Sequence, residues 1–380
     1  MRFVFAPDSF KGSLSSVRLC EILTDAARRR FPDAECVSIP AADGGEGTLD
    51  ALLAALGGER ISETVTSPTG DMVSAQMARL SNGAYLIEMA QCCGLPLVKP
   101  ENRNPLYLTS YGLGEMLARA LNRGAEEIYV GIGGSATNDG GMGLLSALGA
   151  VFTAAGGRRL DGIGMELKQV EDIDLSNLHP GLARAHITVI SDVTNPLLGK
   201  DGATCVYGPQ KGADEAAVRE LDRQLRALDE TFRRELNASV AMLPGAGAAG
   251  AFGAGCVALL GAELRRGIEV VLDVVGFDAL LADADLVITG EGRIDEQSTH
   301  GKVVGGVARR AHARGVPVFA IVGDVGDDAY GAYDAGISAI FSINRLAVPR
   351  DEAKARSHID YTHTLDDLLR CIRAAEQFKR

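Results

Sequence analysis

Both ends of the chain alternate short apolar runs with amphipathic stretches. Residues 3–6 form an apolar run. A stretch over about 15–30 follows, with Val17, Ile22 and Leu23 among its apolar positions, and predicts a helix. The pair repeats as a strand over 36–39 and a helix over 48–56, the latter stopped by Gly57-Gly58. The rhythm returns near residue 277, with strands over 286–289, 317–322 and 339–343 and helices over 303–313, 328–333 and 365–375. The middle differs. Two strands flank Ser67-Pro68-Thr69-Gly70, and Asn82-Gly83 sits between apolar runs at 77–80 and 85–87, a two-residue hairpin signal. Helix 114–121, strands 128–130 and 186–190, and the clearest helix, 214–236, follow. In that last helix Val218, Leu221, Leu225, Leu228, Phe232 and Leu236 make one apolar stripe under a charged face. The expected fold class is α/β. A Rossmann- or flavodoxin-like parallel-sheet domain is built from both chain ends (1–60 plus 281–380), and a second α/β domain with antiparallel hairpins (61–280) is inserted in it.

Composition narrows the partners. The 380 residues carry 38 Lys+Arg against 50 Asp+Glu, a net charge of −12, which argues against a nucleic-acid or anionic-membrane partner. Seven cysteines without CxxC or disulfide-framework spacing, and no long apolar run, point to a cytoplasmic protein with reduced thiols. Whether copies of the chain assemble into a homo-oligomer is left open.

The unusual chemistry is in the loops. After the strand at 128–130 comes Gly131-Ile132-Gly133-Gly134-Ser135-Ala136-Thr137-Asn138-Asp139-Gly140-Gly141, ahead of a helix expected over 144–148. Five glycines expose backbone N–H groups to an anion, so the stretch reads as a phosphate or carboxylate site, against the alternative of a plain β-to-α turn. Four further loops at predicted strand ends pair glycine with carboxylates, two of them with a cation as well. They hold Asp8, Ser9 and Lys11; Asp43-Gly44-Gly45-Glu46-Gly47; Gly290-Glu291-Gly292-Arg293-Ile294-Asp295 with His300-Gly301-Lys302; and Gly323-Asp324. Such a mixture suits phosphoryl transfer, in which carboxylates hold Mg²⁺ and take a proton while cations neutralise phosphate charge. No P-loop, zinc or nucleophile-elbow signature is present. Residues 245–250 match G-x-G-x-x-G, but no strand leads in, so a close-packed glycine turn is the favoured reading. Cys92-Cys93 and His179, His186, His358 and His363 read as packing or surface residues, with His300 set apart only by its neighbours.

Several segments together resemble the type 1 glycerate kinase family. They are Ala6-Pro7-Asp8-Ser9-Phe10-Lys11-Gly12-Ser13-Leu14, Ala42-Asp43-Gly44-Gly45-Glu46-Gly47-Thr48 and the 131–141 stretch. Ser191-Asp192-Val193-Thr194-Asn195-Pro196-Leu197, Gly208-Pro209-Gln210-Lys211-Gly212-Ala213, and Thr289-Gly290-Glu291-Gly292-Arg293-Ile294-Asp295 with Gln297-Ser298 complete the set. The match runs in register from residue 2 to about 345; Ser67-Pro68-Thr69-Gly70 and Gln91-Cys92-Cys93-Gly94 depart mildly from it. The resemblance implies ATP- and Mg²⁺-dependent phosphorylation of glycerate, by analogy with bacterial members to 2-phosphoglycerate, in a cleft between two α/β domains.

Residue roles are our own assignment. Asp192 or Asp8 is the candidate general base, with Lys11 and Arg293 also catalytic. Gly133, Gly134, Ser135, Thr137 and Asn138 would hold the acceptor's carboxylate, helped by Arg293, and Asp139 and Asn195 join them as substrate- or phosphate-binding residues. Lys11, Lys302 and the 44–47 amides, Gly44 and Gly45 among them, would meet the ATP phosphates. Ser9, Asp43 and Gly290 are further substrate- or phosphate-binding residues, and Asp43, Glu46 and Glu291 would hold Mg²⁺. The rival readings are a nicotinamide-dependent oxidoreductase and a non-catalytic metabolite-binding protein.

Overall fold

The computed structural model describes residues 1–42, 44–45, 47–299 and 301–378. The chain divides into two compact units, one comprising Met1–Asp43, Asp50–Gly57 and Arg266–Arg380, the other Gly44–Leu49 with Gly58–Arg265. The first unit takes the chain back at Arg266, earlier than residue 281. The reason is packing: Ile268, Leu272, Phe277 and Leu281 belong to its core.

Among the described residues the first unit holds a five-stranded, all-parallel sheet. Its order is Ala339–Ser342, Val318–Val322, Leu286–Gly290, Arg2–Pro7, Glu35–Ser38. The Arg2–Pro7 strand shows why its sequence is apolar without alternation. Phe3 and Phe5 point into one core with Leu19, Leu23, Tyr361 and Leu365, while Val4 and Ala6 point into the other with Val303, Val307 and Leu272. A strand covered on both faces has no polar side to display. Helices Ser16–Arg30 and Arg350–Phe378 cover one face, and Gly267–Val274 and Val303–Ala313 the other. Ser15 caps the first of these by accepting the Arg18 N–H at 3.2 Å. The closing helix begins at Arg350, fifteen residues before the expected 365, since its first turns are too charged to show an apolar stripe. The helix expected over 328–333 is a single turn, Gly331–Asp334.

The second unit's six strands run Glu263–Arg265, His186–Ile190, Glu127–Gly131, Tyr85–Glu88, Met72–Leu80, Gly58–Thr66. The first four are parallel, and the last two continue as an antiparallel meander through the Asn82-Gly83 turn. Asn82 Oδ1 accepts the Ala84 N–H at 3.1 Å, and Gly83 takes a positive φ of 90° that a branched side chain would resist. Helix Glu215–Leu236, capped by Asp214, buries the predicted Leu221, Leu225, Leu228 and Phe232. The seven cysteines are free thiols, and among the described residues no helix is long and apolar enough to cross a membrane.

Candidate active site

In the first sheet the chain runs outward from the Arg2–Pro7 strand in one direction to Glu35–Ser38 and in the other to Leu286–Gly290. The order reverses there, and loops at the carboxyl ends of such neighbours part to leave a crevice. Pro7 is in register with Gly290, and the Asp8 N–H donates to the Gly290 carbonyl at 2.8 Å, so Asp8 and Glu291 leave the sheet side by side. Asp8 Oδ1 accepts the Ser9 N–H at 2.6 Å and turns the chain towards the exposed Lys11. Gly290 works by having no side chain: a Cβ would lie 1.9 Å from the Ile321 carbonyl oxygen.

Glu291 is buried, and burial pushes its carboxyl up to about 7. The Ser298 hydroxyl and Lys302 oppose the shift, while the Asp8 and Asp295 carboxylates add to it. Its Oε1 has no hydrogen-bond partner. Lys302, the residue that opens helix Val303–Ala313, lies 4.0 Å from Glu291 and 3.7 Å from Asp295. Arg293 lies 3.9 Å from both Asp295 and Asp324. These separations exceed those of hydrogen-bonded ion pairs, so the cations are loosely held.

The second unit brings two glycine motifs together, backbone against backbone. A Cβ on Gly131 would lie 2.7 Å from the Gly44 carbonyl oxygen, and one on Gly133 3.1 Å from the Gly45 Cα. Beyond them the 131–141 stretch is a tightly packed loop, and its helix is shorter than an anion site needs. Met142–Ala147 has six residues, and its first N–H groups are already occupied. The fully buried Asp139 accepts from the Ser110 N–H and hydroxyl, both at 2.7 Å, and from the Gly141 and Gly143 N–H groups. The Leu144 N–H donates to Ser110 Oγ. Asp139 thus organises the loop from inside, where contact with a ligand was expected. Burial raises its carboxyl pKa against these donors.

Ser135, Thr137 and Asn138 are buried too, and Thr137 Oγ1 and Asn138 Nδ2 have no hydrogen-bond partner. Lys211, 3% exposed, donates from Nζ to Ser135 Oγ at 2.8 Å and to the Thr137 carbonyl at 2.7 Å. Desolvation lowers its pKa to about 7, and the Asp139 carboxylate partly offsets this. Against the loop's other side, Ala249, Gly250 and Ala251 all take left-handed backbone conformations, and Gly250 accepts the Gly140 N–H. The G-x-G-x-x-G stretch therefore follows turns and braces the Thr137–Asn138 backbone, with no strand to make it a dinucleotide fingerprint.

Asp192 is exposed and two residues beyond the His186–Ile190 strand, next in the sheet to the strand that feeds the 131–141 stretch. Asn195 is used internally: Oδ1 accepts the Tyr207 hydroxyl at 2.6 Å, and Nδ2 donates to the Asp201 carbonyl. Asp43, Glu46 and His300 lie outside the described residues. Sequence reasoning missed Lys211, Ser110 and Glu88, whose Oε1 accepts the Leu49 N–H at the start of helix Thr48–Leu56. For Lys211 the signal was a cation set between glycines in a motif that carried the resemblance. Ser110 gave none.

Among the described residues no three His, Cys, Asp or Glu side chains cluster as metal ligands. Mg²⁺ keeps most of its water and needs only one or two carboxylates, so the buried, unpartnered Oε1 of Glu291 fits such an ion.

The glycerate kinase family model matches residues 3–373. The chain is 47% identical over 354 residues to a glycerate 2-kinase of Escherichia coli K12, covering 93% of each. It is 42% identical over 377 residues to a glycerate kinase of Bacillus subtilis 168, covering 99% of each. A crystal structure described as a glycerate kinase 2 from Salmonella typhimurium LT2 superposes with a TM-score of 0.90 at 42% identity, again over 99% of both chains. With the switch-point loops on a parallel sheet and the 131–141 stretch on a mixed one, the chain belongs to the glycerate kinase family and is a kinase that phosphorylates an alcohol group.

Proposed function

We propose that the protein transfers the γ-phosphoryl group of ATP, with Mg²⁺, to the 2-hydroxyl of D-glycerate and releases 2-phosphoglycerate. The observation that carries this reading is the Glu291 carboxylate: buried, lacking a partner on Oε1, crowded by Asp8 and Asp295, and only loosely attended by Lys302. A buried carboxylate oxygen without a hydrogen-bond partner, with further carboxylates nearby, suits a hydrated Mg²⁺ bound to a nucleotide. When bound, the ion would offset charge on the transferring phosphoryl group.

Lys302, Arg293 and Lys11 would neutralise the phosphate oxygens, and Ser9 and the Gly44–Gly45 backbone N–H groups would donate to them. Asn138 Nδ2 and Thr137 Oγ1 would hold the acceptor's carboxylate, since each is buried and has a hydrogen-bonding capacity that no protein group meets. Asp8 or Asp192 would take the acceptor's hydroxyl proton as the new P–O bond forms and the bond to ADP breaks. Reaction energy goes into positioning and electrostatics, with no covalent enzyme intermediate.

Phosphorus-31 NMR of the protein with D-glycerate, ATP and Mg²⁺, with each left out in turn, tests the reading. A new phosphomonoester coupled to a single CH proton, seen only with all three present, is the expected result. Coupling to two CH₂ protons would move the product to the 3-phosphate, and intact ATP throughout would overturn the reading.

A further inference from the structure

We infer that Lys211 is a positioning residue for the acceptor, acting through the Ser135–Thr137 backbone. The inference rests on the reading above that Thr137 and Asn138 hold the acceptor. Lys211 sits on the short turn Pro209–Lys211, and its ammonium reaches across to two points of the loop two residues apart, Ser135 Oγ and the Thr137 carbonyl oxygen. Fixing a side-chain oxygen and a main-chain oxygen at that spacing sets the peptide planes between them. The same two bonds take up the Ser135 hydroxyl and the Thr137 carbonyl. Thr137 Oγ1 and Asn138 Nδ2 are left as the loop's unmatched polar atoms.

Burying a lysine costs stability unless its charge is matched, and one hydroxyl and one carbonyl match it incompletely. Asp139, the anion whose field acts on it, is already held by the four donors from Ser110, Gly141 and Gly143. An apolar side chain would fill the same space at lower cost. A lysine kept there against stability points to a requirement of the loop's ligand, an anion whose negative end the protonated amine favours from behind. The opposite wall agrees: Ala249, Gly250 and Ala251 stay left-handed, and a Cβ on Gly250 would fall 2.3 Å from the same Thr137 carbonyl oxygen that Lys211 engages. The loop is clamped from both sides at one peptide.

The experiment measures KM for glycerate and for ATP separately, with kcat, for Lys211→Met, Lys211→Arg, Ser135→Ala and Asn138→Ala. Lys211→Met is expected to raise the glycerate KM about tenfold or more while the ATP KM stays within about twofold, because only the acceptor's loop loses its anchor. Lys211→Arg, which keeps charge and donors, is expected to recover part of that loss, and Ser135→Ala to give a smaller rise of the same kind. Equal rises in both KM values, or none in Lys211→Met, would overturn the inference. Should Lys211→Met fail to fold, Lys211→Arg and Ser135→Ala decide: an ATP KM that moves as much as the glycerate KM in both overturns it. Asn138→Ala separates the two ideas. A raised glycerate KM there beside an unchanged Lys211→Met leaves the acceptor site standing without its lysine anchor. No change in either removes the site itself.

Discussion

Lys211 in the second unit and Lys302 in the first both feel the field of nearby carboxylates, yet they are held in opposite ways. Lys211 is 3% exposed and makes two hydrogen bonds of 2.7 and 2.8 Å. The Lys302 side chain is 41% exposed and comes no nearer than 3.7 Å to the carboxylates around it. A buried charge with short bonds fixes one loop conformation. A half-exposed charge with long contacts has bonding capacity left for a ligand and little hold on the fold. The second unit therefore carries a preformed loop, and the first a set of groups that a highly charged ligand would complete.

The sharpest way to break that contrast is at the two candidate bases, Asp8 in the first unit and Asp192 in the second. Replacing the true base by Asn should lower kcat about 10²–10⁴-fold with the fold intact, as judged by the thermal midpoint. Near-wild-type turnover in both Asp8→Asn and Asp192→Asn would remove general-base catalysis from both loops. Next comes Gly250→Ala, which adds a Cβ at φ +70°, 2.3 Å from a backbone oxygen, in the preformed loop's wall. It should cost about 3 kcal/mol in urea unfolding. Gly261→Ala, at φ +63° with open space around it, should cost only about 1 kcal/mol. Equal costs would mean that the wall yields and the loop is not clamped.

The alternation of strand and helix at both ends was legible because a doubly covered sheet requires uninterrupted apolar strands, and the hairpin because its turn needs a positive φ that Gly83 supplies. The switch-point residues Asp8 and Glu291 were legible from their places just past apolar runs. What could not be read was which polar groups are buried. In the linear sequence the 131–141 stretch has the glycine content of an open anion cradle. The fold fills that cradle from within, with Asp139 taking the amides and Ser110 supplying the hydroxyl from 29 residues earlier. Lys211 reaches Ser135 from 76 residues away. Such pairings are set by tertiary packing and leave no local period in the chain.

Titration of Lys211 offers a sharper test of its burial. Its pKa falls from 10.5 in the unfolded chain to about 7 in the fold. Below pH 7 both states carry the proton and folding bears the full cost of the buried charge. Between about 7 and 10.5 the unfolded chain holds the proton more tightly, so stability rises with pH across that window. Between pH 7.5 and 9.5 the wild-type protein should gain about 2–2.5 kcal/mol relative to Lys211→Met, measured by urea unfolding at each pH. Parallel pH profiles for the two proteins would mean that the ammonium is solvated and the loop open.

The smallest effect should come from Lys302, and it is the one that completes the comparison. Its contacts of 3.7 and 4.0 Å to Asp295 and Glu291 are those of a half-exposed pair, so Lys302→Met should leave the thermal midpoint within about 2 °C of wild type. Its function is expected on the ligand side: without that cation the ATP KM should rise several-fold, and the glycerate KM should stay where it is. The substitution would then mirror Lys211→Met, which moves the glycerate KM and leaves that of ATP. If Lys302→Met instead lowered stability and left both KM values unchanged, the loosely paired cation would be a scaffold residue after all. The division into a preformed acceptor loop and a ligand-completed phosphate loop would then fail at its second half.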